Sequence, residues 1–260
     1  MSRWKLSDLA DALHALAVPA GGVMLVHSSL LALGPSRDVP PRDLSAALLD
    51  VLRSHFGPES TIVVPTFTFA FCRGVPFDVS ATPSDRMGSF TEYVRIQPES
   101  LRTSHPMQSY AAIGPLARYL TEPDTLTAFA VGSTTHLLLE ANATLLLLGA
   151  SVQHASLVHW SEERAEVPYR FMKSFRGRWR RSPDEAFVER DYAMFARDLD
   201  LHQVFDLSII TDKLGDDLRR AEVGAGCLQA CSAVQFVETA DRLLADDPWV
   251  LLAAPPKGSV

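Results

Sequence analysis

Apolar positions along the chain follow two alternating rhythms. Leu6, Leu9, Leu13 and Leu16 recur three and four residues apart, a spacing that predicts a helix with one buried stripe, ending before Pro19 and the Gly21-Gly22 pair. The next run, VMLVH, is apolar without interruption and predicts a buried strand. The unit returns from Ala46 to Phe56, where helical spacing is broken by Gly57-Pro58 and followed by the β-branched run TIVVP. A third copy has VGSTTHLLLEA, with a Ser/Thr cap, leading into TLLLLGA and ending at Gly149. Helix before buried strand, three times, predicts an α/β fold: a three-layer α/β/α core whose sheet is largely parallel and covered by helices on its faces.

Beyond Gly149 the character changes. VQHASLVHWSEERAE carries helical spacing, VPYRFMKSFRGRWRR is basic and aromatic and reads as strands or a hairpin, and CLQACSAVQFVETADRLLADDPWVLL gives strand, helix and an Asp-Pro break. No low-complexity linker interrupts the chain, so a single domain over residues 1–260 is expected.

Composition narrows the class. A hydrophobic fraction of 47% over 260 residues is enough for a sizeable core. Apolar runs such as LLLLGA fall far short of the roughly 20 residues of a membrane helix, and no signal-peptide core follows the first Met, so a cytoplasmic protein without membrane attachment is expected. Cys72, Cys227 and Cys231 are an odd number without a CxxC pair, and the histidines are scattered, which argues against a disulfide framework and against a bound metal. The net charge of −7 without a basic stripe disfavours nucleic acid and favours an amine-bearing substrate.

Candidate chemistry begins where the predicted strands end, the usual ligand side of an open α/β sheet. VMLVH runs into His27-Ser28-Ser29-Leu30, and TIVVP into Thr66-Phe67-Thr68. Hydroxyls and backbone N–H groups there suit a phosphate, a pantetheine amide or an oxyanion, and equally suit helix caps. Two turn-rich loops follow, one with Ser84 between Pro83 and Asp85, the other with His105-Pro106 and Ser109; both also read as solvated connectors. In SLVHWSEE, His159 and Glu162 or Glu163 are three and four apart, so imidazole and carboxylate share a helix face. A carboxylate beside the ring holds its tautomer and raises its basicity, although the same spacing is common in surface ion pairs.

HSSL, PTFT, FD with TPSDRMG, Leu-Arg-x-x-His-Pro-x-x-Ser, Phe129 with Val131-Gly132-Ser133, LLLLGA, SLVHWSEE and VPYR occur in one order over about residues 20 to 177. In that order the chain resembles the aminoglycoside 3-N-acetyltransferase family. The resemblance implies this family's own α/β/α core, acetyl-CoA as acyl donor, and His159 as the catalytic histidine. It also implies a cofactor-contacting turn at His27, Ser28, Ser29 and Leu30, and a loop near the thioester at His105 and Ser109. Ala155-Ser156 stands where relatives commonly have Asn-Thr or Cys-Thr, and the segment after Gly177 is short and arginine-rich. The expected reaction is direct transfer of an acyl group from a CoA thioester to a primary amine of an aminoglycoside or amino-sugar, by a monomer or homodimer. His159 is the general base, with Glu162, or Asp198 brought in by the fold, orienting it. Two alternatives remain: a biosynthetic N-acyltransferase fed by an acyl carrier protein, and a serine-type hydrolase, which lacks a G-x-S-x-G elbow here.

Overall fold

In the computed structural model, which describes residues 3–202 and 204–254, the three helix–strand units form where the apolar spacing predicts them. Helix α1 (Leu6–Ala15) leads to β1 (Val23–Ser28); after the short α2 (Leu30–Leu33), α3 (Leu44–Phe56) leads to β2 (Thr61–Pro65). Strand β3 (Phe77–Asp78), helix α4 (Ser89–Arg95), strands β4 (Leu101–Arg102) and β5 (Tyr110–Ile113) and helix α5 (Ala117–Thr121) precede the third unit. That unit is α6 (Thr134–Glu140) and β6 (Thr144–Leu148). Helix α7 (Val158–Arg164), the hairpin β7 (Arg170–Arg180) and β8 (Val188–Arg197), and helix α8 (Ser208–Leu214) follow. Strands β9 (Arg219–Val223) and β10 (Gly226–Ser232) and helix α9 (Ala233–Asp246) complete the order.

The main sheet runs β4-β5-β2-β1-β6-β10-β9. β1 pairs in parallel with β2 and β6, and the remaining pairs are antiparallel. The sheet is therefore mixed, parallel only at its centre, rather than largely parallel. The reason lies in the connections: helical crossovers join the central strands, whereas only Gly224 and Ala225 separate β9 from β10, too few for a parallel return. The three-layer arrangement itself is present. Side chains alternate by strand position, with Val23, Leu25, Val63, Leu145 and Leu147 in one core and Met24, Val26, Ile62, Val64, Leu146 and Leu148 in the other. Helices α5 to α9 cover the first core, and α1, α3 and α4 cover the second.

A second sheet, β3-β7-β8, closes over a smaller apolar cluster of Phe71, Phe77, Met107, Trp179 and Tyr192. The basic, aromatic stretch thus forms a hairpin, its Trp179 buried and many of its charges outside. The helix expected across 152–166 is interrupted: Val152–His154 form one 3₁₀ turn, Ala155 is extended, and α7 begins at Val158. No described helix is long and apolar enough to cross a membrane.

Candidate active site

At the carboxyl ends of β1, β2 and β6 lies a cavity of about 540 Å³, where the strand ends of an open α/β sheet leave a crevice. His27 and Ser28 reach it from β1, with Ser29 and Leu30 beyond; Ser156 and His159 reach it from the 150–159 segment. The turn after β6 needs Gly149, whose φ is +68°. A Cβ there would sit 2.6 Å from the Ser29 carbonyl oxygen, so this glycine lets the two strand ends close on each other.

His159 sits near the start of α7, and Glu162 follows one turn later. The His159 Nδ1–H donates to Glu162 Oε2 at 2.5 Å, and Arg170 Nε lies 3.0 Å from Glu162 Oε1. The Glu162 side chain is fully buried, whereas that of His159 is 30% exposed towards the cavity it lines. Burial alone would raise the Glu162 carboxyl, but His159 and Arg170 together outweigh it and hold its pKa below the ordinary range. Glu162 is therefore a carboxylate fixed behind the ring. It keeps the proton on Nδ1 and leaves Nε2 as the basic nitrogen. The Phe129 ring packs edge-on to His159, with centroids 5.8 Å apart.

His27 differs. Burial, with smaller effects from His154 and His159, lowers its pKa to about 3, so it is neutral at ordinary pH. Its Nε2 lies 3.3 Å from Ser156 Oγ, which is in turn 3.3 Å from the Tyr110 hydroxyl. A histidine so resistant to protonation is a poor proton acceptor. The Ser156–His27 contact therefore does not equip Ser156 as an acylated nucleophile. The Ser28 hydroxyl is buried beside the cavity and has no hydrogen-bond partner among the described residues.

Several candidates read from the sequence lie outside this cavity. Thr66, Thr68 and Ser109 surround the buried guanidinium of Arg102, which donates to Thr66 Oγ1 at 3.1 Å, Thr68 Oγ1 at 3.0 Å and Ser109 Oγ at 3.2 Å. These hydroxyls satisfy a buried cation and are not presented to a ligand. Ser84 donates to Glu92 at 2.9 Å, closing its loop onto α4. His105 is buried: its Nε2–H donates to the Ala193 carbonyl at 3.1 Å and its Nδ1 accepts from the Gln108 N–H at 3.2 Å, so it pins β8 to the 103–109 loop. Burial lowers its pKa to about 4. Asp198 caps a 3₁₀ turn, accepting from the Asp200 N–H at 3.0 Å, while Glu162 occupies the position behind His159.

Most of the basic stretch is also engaged elsewhere. Arg180 donates to Asp78 at 2.7 Å, Arg181 to Ser104 Oγ at 3.2 Å, and Arg178 stacks on Phe187. Only Arg170 of this stretch lines the cavity, joined from outside it by Arg86 and Arg197. Arg197 and Phe205 carry no motif in the sequence. Their place follows from hairpin register, which sets Arg197 opposite Arg170 with Phe205 packed against both.

Fold and site together define an α/β protein with a carboxylate-backed histidine in the crevice at the end of its parallel strands. Residues 25–245 match the aminoglycoside 3-N-acetyltransferase family model, and the chain belongs to that family. It is 31% identical over 168 residues to aminoglycoside N(3)-acetyltransferase IV of Salmonella sp, covering 64% of this chain and 61% of that protein. To aminoglycoside N(3)-acetyltransferase III of Serratia marcescens it is 29% identical over 181 residues, 63% of this chain and 65% of the relative. The match thus spans somewhat under two thirds of these relatives' length.

Among solved structures, a histidine-to-alanine variant of AAC(3)-IVa in complex with a gentamicin is similar with a TM-score of 0.75 at 25% identity, over 98% of this chain and 93% of that one. AAC-IIIb in binary complex with CoASH has a TM-score of 0.79 at 23% identity, over 94% and 97%, a likeness of fold.

Proposed function

We propose that this protein transfers an acetyl or other acyl group from coenzyme A to a primary amine of the aminoglycoside or amino-sugar class, in one direct step with His159 as general base. The observation that carries this reading is the 2.5 Å His159–Glu162 contact, with its fully buried carboxylate, on the wall of a ligand-sized cavity. The chain's family and the CoASH complex of AAC-IIIb support the donor. A thioester is already activated, so the protein's task is to position the amine, take its proton and accommodate the oxyanion. The amine nitrogen bonds to the thioester carbonyl carbon while His159 Nε2 accepts the nitrogen's proton, and Glu162 stabilises the imidazolium that forms. Collapse breaks the C–S bond, and the departing sulfur takes the proton back from His159. Ser28 and Ser156 are neutral hydroxyl donors lining the same space.

The donor's phosphates suit the Arg86 guanidinium in the cavity lining, beside the β1 turn. A hydrolytic route through Ser156 is disfavoured by the low basicity of the His27 ring beside it. The test is release of free thiol from acetyl-CoA in the presence of gentamicin and a panel of amino-sugars. Amine-dependent release is expected from the wild type and should fall roughly a hundredfold or more in His159→Ala, the usual contribution of a positioned base. Release that ignores added amine, or that survives the substitution, would overturn the proposal.

A further inference from the structure

The hairpin register pairs Arg170 with Arg197 directly across β7 and β8. Like charges facing each other across two strands destabilise the pair. Both guanidiniums approach the Phe205 ring, Arg170 at 5.1 Å and Arg197 at 4.4 Å from its centroid, and all three residues line the cavity. Arg170 is anchored by Glu162 and by the Phe195 carbonyl, to which it donates at 3.2 Å. Arg197 has no ion pair among the described residues; burial and the neighbouring Arg170 both lower its pKa. Arg197 feels Glu162 only through space, because the two oxygens of that carboxylate are taken by His159 and Arg170. Among the described residues, the cavity lining contains three arginines and three histidines but no Asp or Glu. When His159 takes up a proton, the local excess of positive charge grows further.

We propose that the acceptor carries an anionic group, a phosphate or a carboxylate, near the amine it presents to His159, and that Arg170 and Arg197 bind that group. This rests on the acyl-transfer reading and narrows it. A polycation of the gentamicin type would meet guanidiniums where it needs carboxylates, whereas an anion would supply the partner that Arg197 lacks and relieve the cross-strand repulsion. Arg197 is the specificity residue. Arg170 also holds Glu162 and so acts on the base as well.

The test is calorimetry on the full chain saturated with CoA, so that any guanidinium serving the donor is already engaged. Glucosamine and glucosamine 6-phosphate are matched probes that differ only by the phosphate. The phosphorylated sugar is expected to bind roughly tenfold to a hundredfold more tightly, the range for a charge-assisted contact. Arg197→Gln should abolish that preference and Arg197→Lys restore part of it, while CoA affinity changes less than about twofold. Equal affinity for the two sugars, binding of neither, or tighter binding of gentamicin than of the phosphorylated sugar would overturn the proposal. A preference that survives Arg197→Gln, or a loss of CoA affinity in that variant, would overturn the assignment to Arg197. Intact phosphate preference without thiol release would count against acyl transfer and leave the anion site standing.

Discussion

His159, His27 and His105 are three histidines with three different jobs, and their surroundings decide which. Only His159 combines a cavity-facing ring with a carboxylate behind it. His159→Ala should therefore keep its affinity for CoA while losing turnover, read by calorimetry and thiol release on the same preparation. An active His159→Ala beside a folded but inactive His27→Ala would move the base to the β1 turn. Gly149 offers a test of site shape. An alanine there combines a strained φ with a 2.6 Å approach to Ser29, so Gly149→Ala should cost about 1–3 kcal/mol and weaken CoA binding, checked by urea unfolding and calorimetry. Unchanged stability and affinity would mean that the turn relaxes freely. His159 and Glu162 were legible as a pair because a three-residue spacing on a helix brings side chains together whatever the rest of the fold does. Thr66, Thr68 and Ser109 were not separable from ligand-binding hydroxyls, since the sequence does not reveal that Arg102, distant along the chain, comes between them.

At the scale of elements, the three helix–strand units were readable because their apolar periods are strict and glycine or proline breaks them. Strands β4 and β9 escaped: the first is two residues long, and the second, Arg219–Val223, is largely polar. The break before α7 also had no local signal, as Ala155 continues the apolar spacing through a residue that is extended in the fold. The β7–β8 hairpin was expected, but not how it is held. His105 fastens it through the Ala193 carbonyl, as a neutral, buried ring. Its pKa is about 4 in the folded chain, against 6.5 for an unperturbed histidine. Between those values the unfolded chain binds the extra proton, so the stability His105 contributes is full above about pH 6.5 and declines as the pH falls towards 4. The expected loss is up to about 1.4 kcal/mol per pH unit in that window. His27, with a folded pKa of about 3, adds a second loss of the same sign. Urea midpoints from pH 7 to pH 5 should fall in the wild type, and His105→Gln should have a slope shallower by about one proton. Parallel slopes would refute the assignment.

Over the whole molecule, charge is divided by depth. The chain carries a net −7, while the cavity lining gathers Arg86, Arg170 and Arg197, so the net charge does not describe the field inside the cavity. The seating of Glu162 has a consequence of its own. Its side chain is wholly enclosed, with His159 on one oxygen and Arg170 on the other, whereas Arg197 stands at the exposed rim. Dissolved ions at about 0.15 M attenuate fields beyond roughly 8 Å in water but scarcely enter a closed interior. Added sodium chloride should therefore raise the KM for charged substrates and leave kcat nearly constant, because the counterions reach the rim but not the His159–Glu162 pair proposed to move the proton. Steady-state rates across a salt series would check this, and a kcat that falls in step with the rise in KM would mean that the enclosed triad feels the bath.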